Sequence, residues 1–208
     1  MNSEKITSFE KIFIEDLRKI LHSEMVFIDV GANTGTYVYL VNNLINKSSI
    51  YAIESSPSKF DRLKEDCCQW ERESDNKIHL LQITIGNREE QVDLETTDTF
   101  KLDTLFKAIK PDLIKIDAND RELEIIQGCR EILKAGKTKF LISLSSQMDE
   151  LSNFMKSFNY YPVNFHEMLL FSNPKSQPKF QLSKTFKSIG RKIIPLHFQY
   201  WFRSLIHK

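Results

Sequence analysis

The sequence predicts a doubly wound α/β domain: a mostly parallel sheet with helices on both faces, closed at its C-terminal end by one antiparallel hairpin. Three observations carry this prediction. Short apolar runs alternate with amphipathic stretches of helical period from residue 7 to residue 158. A glycine-bearing turn, Gly31-Ala32-Asn33-Thr34-Gly35, joins the first run to the next helix. The last two runs, 160–165 and 167–172, stand one residue apart. No crossover helix fits between them, so they pair antiparallel.

The elements follow in order. Residues 7–22 read as an amphipathic helix. Thr7 and Glu10 have capping-box spacing, and Phe9, Ile12, Phe13, Leu17, Ile20 and Leu21 form one stripe. Residues 25–30 are a buried strand, 36–46 a buried helix and 49–54 the second strand. Ser56 offers an N-cap and Pro57 suits a first helical turn, after which Phe60, Leu63, Cys67 and Trp70 share a face. Residues 78–83 make a third strand, 91–95 a short extra one, and 102–109 a small helix. A fourth strand at 112–117 leads to a helix at 121–134, with Leu123, Ile126, Cys129 and Leu133 on one side. A fifth strand spans 139–145 and a last helix 148–158. Pro162 assigns the strand at 160–165 to the edge of the sheet.

A chain of 208 residues, 41% of them hydrophobic, is enough for one domain with a substantial core. No run approaches the roughly 20 apolar residues that span a bilayer, and residues 1–10 lack the basic start and apolar stretch of a secretory signal. Three cysteines, two of them adjacent, make neither a disulfide framework nor a zinc site. The expectation is a reduced, cytoplasmic protein, with no residues assigned to a metal. The net charge of +1 hides an asymmetry: residues 174–208 carry eight Lys or Arg and no acid, so the first 173 residues carry 21 basic and 28 acidic groups, net −7. Two units are therefore expected, a domain at 1–173 and a basic tail at 174–208. Phe180, Phe186, Phe198, Tyr200, Trp201 and Phe202 are interleaved with the tail's charges, and Pro195 divides it. That composition suits either a tail folded back on the net −7 body, its rings buried and its charges paired, or an anionic membrane surface, peripheral to which the protein would lie. No nucleic acid is expected, because no RNA- or DNA-binding motif accompanies the charge.

The chemistry concentrates at strand ends. Gly31 permits backbone angles that a side chain forbids and lets a cofactor approach the main chain. Gly35 permits close packing of helix on strand. Asp29 can accept a hydrogen bond from a cofactor's amino-acid moiety or brace the loop. Dinucleotide binders place a middle glycine where a pyrophosphate approaches; here Asn33 occupies the centre of a G-x-x-x-G turn. The spacing favours a cofactor without a pyrophosphate, of which S-adenosyl-L-methionine (SAM) is the common one. Glu54, at the end of the second strand and 19 positions after Gly35, suits both hydroxyls of a ribose.

Together, residues 27–35, 54–57 and 113–117 (Leu-Ile-Lys-Ile-Asp) resemble the FkbM family of SAM-dependent methyltransferases. Leu102-Asp103-Thr104-Leu105 and Gln127-Gly128-Cys129 resemble further family stretches, and the likeness covers about residues 25–172. The resemblance implies a Rossmann-like class I methyltransferase fold, with a mostly parallel seven-stranded sheet and a C-terminal antiparallel hairpin. It implies O-methyl transfer to a hydroxyl of a sugar, glycan or small secondary metabolite. The chain departs from the family at Ala118-Asn119-Asp120, where a run ending in glycine is usual, and at Leu144-Ser145-Ser146, where a glutamate is usual. Glu122 matches a family acid.

The expected cofactor contacts are therefore Asp29, Gly31, Asn33, Gly35 and Glu54, and the expected catalytic residues are Asp117 and Lys115. Lys115 alternates with Asp117 on one strand face, where it either pairs with an acid or lines the cleft. Asp103 is a candidate acceptor contact, Asp120 and Glu122 are read as ordinary helix-start acids, and His166 as a solvated loop histidine. Two other readings stand beside this one: a SAM-binding scaffold of the same fold without turnover, and a nucleotide-binding oxidoreductase.

Overall fold

A computed structural model describes residues 8–88 and 98–174. Thr7 of the expected capping box, the expected strand at 91–95 and the tail from residue 175 lie outside the described residues. The elements in chain order are α1 (Ser8–Ile20), β1 (Val26–Val30), α2 (Thr36–Leu44), β2 (Ser49–Ile53), α3 (Pro57–Arg72), β3 (Lys77–Leu81), β4 (Thr84–Ile85) and β5 (Thr99–Phe100). They continue with α4 (Leu102–Leu105), β6 (Leu113–Ile116), α5 (Glu122–Gln127), α6 (Arg130–Ala135), β7 (Lys139–Ser143), α7 (Met148–Ser157), β8 (Tyr161–Phe165) and β9 (Met168–Ser172).

Seven strands form one sheet in the order β3-β2-β1-β6-β7-β9-β8. β1, β2, β3, β6 and β7 run parallel, and β9 pairs antiparallel with both β7 and β8. The fold is the expected Rossmann-like one, with the expected terminal hairpin and Pro162 on the outermost strand. Strand order reverses between β1 and β6, and open α/β sheets bind ligands outside such a switch point.

The strand period of two sorts the core into two layers. Phe27, Leu113 and Leu141 face one way and pack with Leu17 of α1, Val41 of α2 and Leu63 of α3. Ile28, Ile114 and Ile142 face the other way and pack with Leu102, Ile126, Leu133 and Met155 of α4 to α7. Strands buried on both faces read as continuous apolar runs, which is why the central strands were legible.

The structure corrects several local expectations. The helix expected over 121–134 is two helices. In a straight helix the Ile132 N–H would donate to the Gly128 carbonyl; here it donates to Asp103 Oδ1 at 3.0 Å, while the Glu131 N–H donates to Asp103 Oδ2 at 2.9 Å. The Gly128 carbonyl instead accepts the Asp103 N–H at 3.3 Å. Asp103 is thus the cap of α6 rather than an acceptor contact. The helix expected over 102–109 is the single turn α4. Ser56 stands at the N-cap of α3 without a side-chain cap bond, although Pro57 occupies the first turn as expected. β4 and β5 form a second, two-stranded parallel sheet that two-residue strands are too short to announce in a sequence.

Candidate active site

β1, β2 and β6 end side by side, and a cleft of about 230 Å³ opens over their C-terminal ends. Gly31, Asn33, Glu54 and Asp117 of the predicted residues line it, with Ile85 and Ile125 as an apolar wall and Lys59 and Arg121 as cations.

Gly31 has φ +74°, and a Cβ placed on it would lie 2.0 Å from the Asp117 carbonyl oxygen. The turn is wedged against the end of β6, so only glycine fits. The Gly31 and Ala32 N–H groups both donate to the Ile53 carbonyl at 3.0 Å, fastening the turn to β2. Asn33, at φ +50°, donates its backbone N–H to Glu54 Oε2 at 2.9 Å. The other oxygen of Glu54 accepts the Ser56 N–H at 2.9 Å. Glu54 is therefore fixed between the β1 turn and the start of α3, 6% exposed and on the cleft wall. Each oxygen keeps a further lone pair for a ligand's hydroxyl.

Asp29 and Lys115 do not line the cleft. They are direct partners in the β1–β6 register, fully buried, with Lys115 Nζ 2.9 Å from Asp29 Oδ1. The same ammonium donates to the Gly31 carbonyl at 3.0 Å, stands 3.9 Å from Asp117 Oδ2 and lies 5.3 Å above the ring of Tyr37. Burial pushes the Asp29 carboxyl above its ordinary range, while the Lys115 charge pulls the other way. Of the two readings for Lys115, pairing with an acid is the one the geometry shows. It is a strut beneath the turn, holding the Gly31 carbonyl and facing Asp117 from behind. Asp117 itself is about half exposed, and its N–H donates to the Val30 carbonyl at 3.1 Å.

Gly35 also stays outside the cleft. At φ +78°, a Cβ there would meet Leu63 at 2.7 Å and the Trp70 ring at 2.8 Å. The expected packing of helix on strand is a packing of the α2 start on α3.

His166 is not solvated. Its side chain is 4% exposed, with Nε2 3.3 Å from Asp16 Oδ2 and its ring 4.9 Å from Phe13. Lys19 also pairs with Asp16. Burial holds the imidazole below its ordinary value, opposed by Asp16. The signal was available: Asp16 falls on the apolar stripe of α1, three residues after Phe13 and four before Ile20, where an acid needs a buried partner. Tyr37, whose hydroxyl donates to Met168 Sδ at 3.1 Å, had no such signal. Among the described residues no group of three His, Cys, Asp or Glu could hold a metal ion. No helix among them is long and apolar enough to cross a membrane.

Residues 76–177 match a family model described as the methyltransferase FkbM domain. Over those residues, just under half of the chain, the sequence is similar to the FkbM methyltransferase domain. The matched segment includes Lys115, Asp117 and Glu122; the Gly31 turn and Glu54 precede it. Solved structures share the fold. One is the FkbM methyltransferase of Methylobacillus flagellatus KT, with TM-score 0.60, 18% identity, 72% of this chain and 44% of that chain covered. This chain thus spans less than half the length of that relative. Another, from Streptococcus mutans, is described as a methyltransferase in complex with SAH (TM-score 0.50, 12% identity, 77% of this chain and 94% of that one). A third is an rRNA methylase of Streptococcus thermophilus (TM-score 0.51, 9% identity, 77% of this chain and 93% of that one). No curated protein matches the chain. The departures from the pattern that the sequence resembles, Ala118 to Asp120 and Ser145-Ser146, follow the ends of β6 and β7.

Proposed function

We propose that the protein is a SAM-dependent O-methyltransferase acting on a hydroxyl of a sugar, glycan or secondary metabolite. The observation that carries the reading is Glu54: a carboxyl group on the cleft wall, 6% exposed, fixed by one backbone N–H on each oxygen, beside a turn that lacks the middle glycine of pyrophosphate binders. The residues fit SAM. Ile85 and Ile125 offer an apolar wall to its adenine, Glu54 takes the ribose hydroxyls, and the open main chain at Gly31 and Asn33 accommodates the amino-acid end. The S. mutans structure with SAH supports the same cofactor class.

SAM, when bound, would supply an activated methyl group, which passes from its sulfonium sulfur to an acceptor oxygen and leaves SAH. The chain's task is to orient the acceptor and hold its leaving proton; orientation alone can contribute up to about 7–11 kcal/mol. Our candidate to take that proton is Asp117, which is exposed on the cleft wall. Lys115 positions it from behind, and through the Gly31 carbonyl positions the turn.

The exclusion of nucleic acid has no support, since one similar fold belongs to an rRNA methylase. The test is SAH release from SAM across hydroxylated small molecules, glycans and RNA. Asp117→Asn should lower turnover by roughly 10²-fold or more while SAM affinity changes little. An unchanged rate would remove Asp117 from the chemistry, and methylation of RNA alone would replace the acceptor class.

A further inference from the structure

Glu122 opens α5, and its surroundings are not those of an ordinary helix-start acid. The residue is 1% exposed among Leu123, Ile125 and Ile126, which pack into the core. One oxygen, Oε1, accepts the Ala118 N–H at 2.7 Å. The other, Oε2, is buried and has no hydrogen-bond partner among the described residues. A half-satisfied buried carboxyl opposes folding, so the core does not account for it.

The segment that Glu122 holds is itself strained. Asn119 at φ +51° and Asp120 at φ +65° are consecutive non-glycine residues in the left-handed region. Such conformations persist only where the surroundings over-determine them, and they cluster at functional sites. Two clamps are visible here. Glu122 takes the Ala118 N–H on one side, and Asp120 Oδ1 accepts the Ser146 N–H at 2.9 Å on the other, tying the segment to the end of β7. Asp117, Ala118, Asn119 and Arg121, all within the clamped segment, line the cleft. Both unfavourable features therefore converge on one wall of the ligand site.

We propose that Glu122 is a positioning residue for the cleft: through the Ala118 N–H it keeps residues 117–121 in their strained form before any ligand arrives. Asn119 and Asp120 hold positive φ without glycine's freedom, and the carboxyl clamp helps to hold them there. The proposal rests on the SAM reading only for the choice of probe.

The test compares Glu122→Leu and Glu122→Gln with the parent, reading melting temperature, affinity for SAH and amide exchange at residues 118–121. Leucine fills an apolar site and removes the half-satisfied group, so the melting temperature should hold or rise. With the clamp gone, amide exchange at 118–121 should quicken by about tenfold or more, through local opening. SAH affinity should fall by about tenfold or more, because a wall misplaced by an ångström forfeits such factors. Glutamine keeps an oxygen for the Ala118 N–H and should restore both readouts to within about threefold of the parent. A purely structural role would instead lower the melting temperature and leave 118–121 no more exchangeable than the rest of α5. Unchanged exchange in Glu122→Leu overturns the proposal. So does unchanged SAH affinity in that variant, given a parent that binds. A parent that fails to bind SAH overturns the SAM reading instead, and the exchange result still decides the role of Glu122.

Discussion

Gly31 and Gly35 look alike in the sequence, yet one meets backbone and the other side chains. Both hold positive φ. Around Gly31 the obstructing atom is the Asp117 carbonyl at 2.0 Å, which cannot move without parting β1 from β6. Around Gly35 the obstructing atoms are a Leu63 methyl and the Trp70 ring, which can shift by tenths of an ångström. Gly31→Ala should therefore destabilise by on the order of 3 kcal/mol or more, against about 1–2 kcal/mol for Gly35→Ala. Denaturant midpoints of the two variants check this, and the reverse order would contradict the assignment. The G-x-x-x-G spacing located both residues but not their neighbours, since neither α3 nor the end of β6 is near in sequence. Glu54 was legible for the same reason that Gly31 was: each closes a strand. Lys115 was legible as a residue that either pairs with an acid or lines the cleft, and only the β1–β6 register decides for pairing, with Asp29.

At the scale of elements, periodicity revealed the long helices and central strands and missed what tertiary contacts decide. α5 and α6 share one apolar face, so a single helix was the natural reading; Asp103, some 28 residues away, divides them. The C-terminal end of α2 has a similar hidden partner. Asn76 Nδ2 donates to the Ile45 carbonyl at 2.9 Å and the Asn42 carbonyl at 3.0 Å, and Asn76 Oδ1 accepts the Ser48 N–H at 2.9 Å. Asn76 is 3% exposed, so water cannot replace these bonds readily. Asn76→Ala should cost about 2–3 kcal/mol, as a lower denaturant midpoint with an unchanged slope. A loss below about 0.5 kcal/mol would mean that the network is not what closes α2.

Across the whole molecule, α1 is fastened to the β8–β9 turn by Asp16 and His166, and this contact makes stability depend on pH. His166 titrates below its ordinary value of 6.5 in the folded state because burial disfavours the cation. Below that value the unfolded chain binds the proton more readily than the folded one. The contribution of the neutral ring is fully present above pH 6.5 and is lost as the pH falls toward the lowered folded value. Urea denaturation between pH 7.5 and 5 should show this loss in the parent. His166→Asn, which tolerates the positive φ at this turn, should flatten the slope in that window; an equal slope would assign the dependence to other groups. The doubly wound sheet, its hairpin and the ligand end of the sheet were all legible, because strand order and strand ends follow from alternation and spacing. The acceptor was not, since Ala118 to Asp120 and Ser145-Ser146, after the ends of β6 and β7, depart from the pattern that the sequence resembles. The central claim is that the cleft over β1, β2 and β6 holds SAM through Glu54. Titration calorimetry of the parent and of Glu54→Ala with SAH, with NADH as a control ligand, tests it most directly. The account predicts saturable SAH binding to the parent, weakened by about tenfold or more in Glu54→Ala, and no binding of NADH. Saturable NADH binding without SAH binding, or equal SAH affinity in the two proteins, would contradict it.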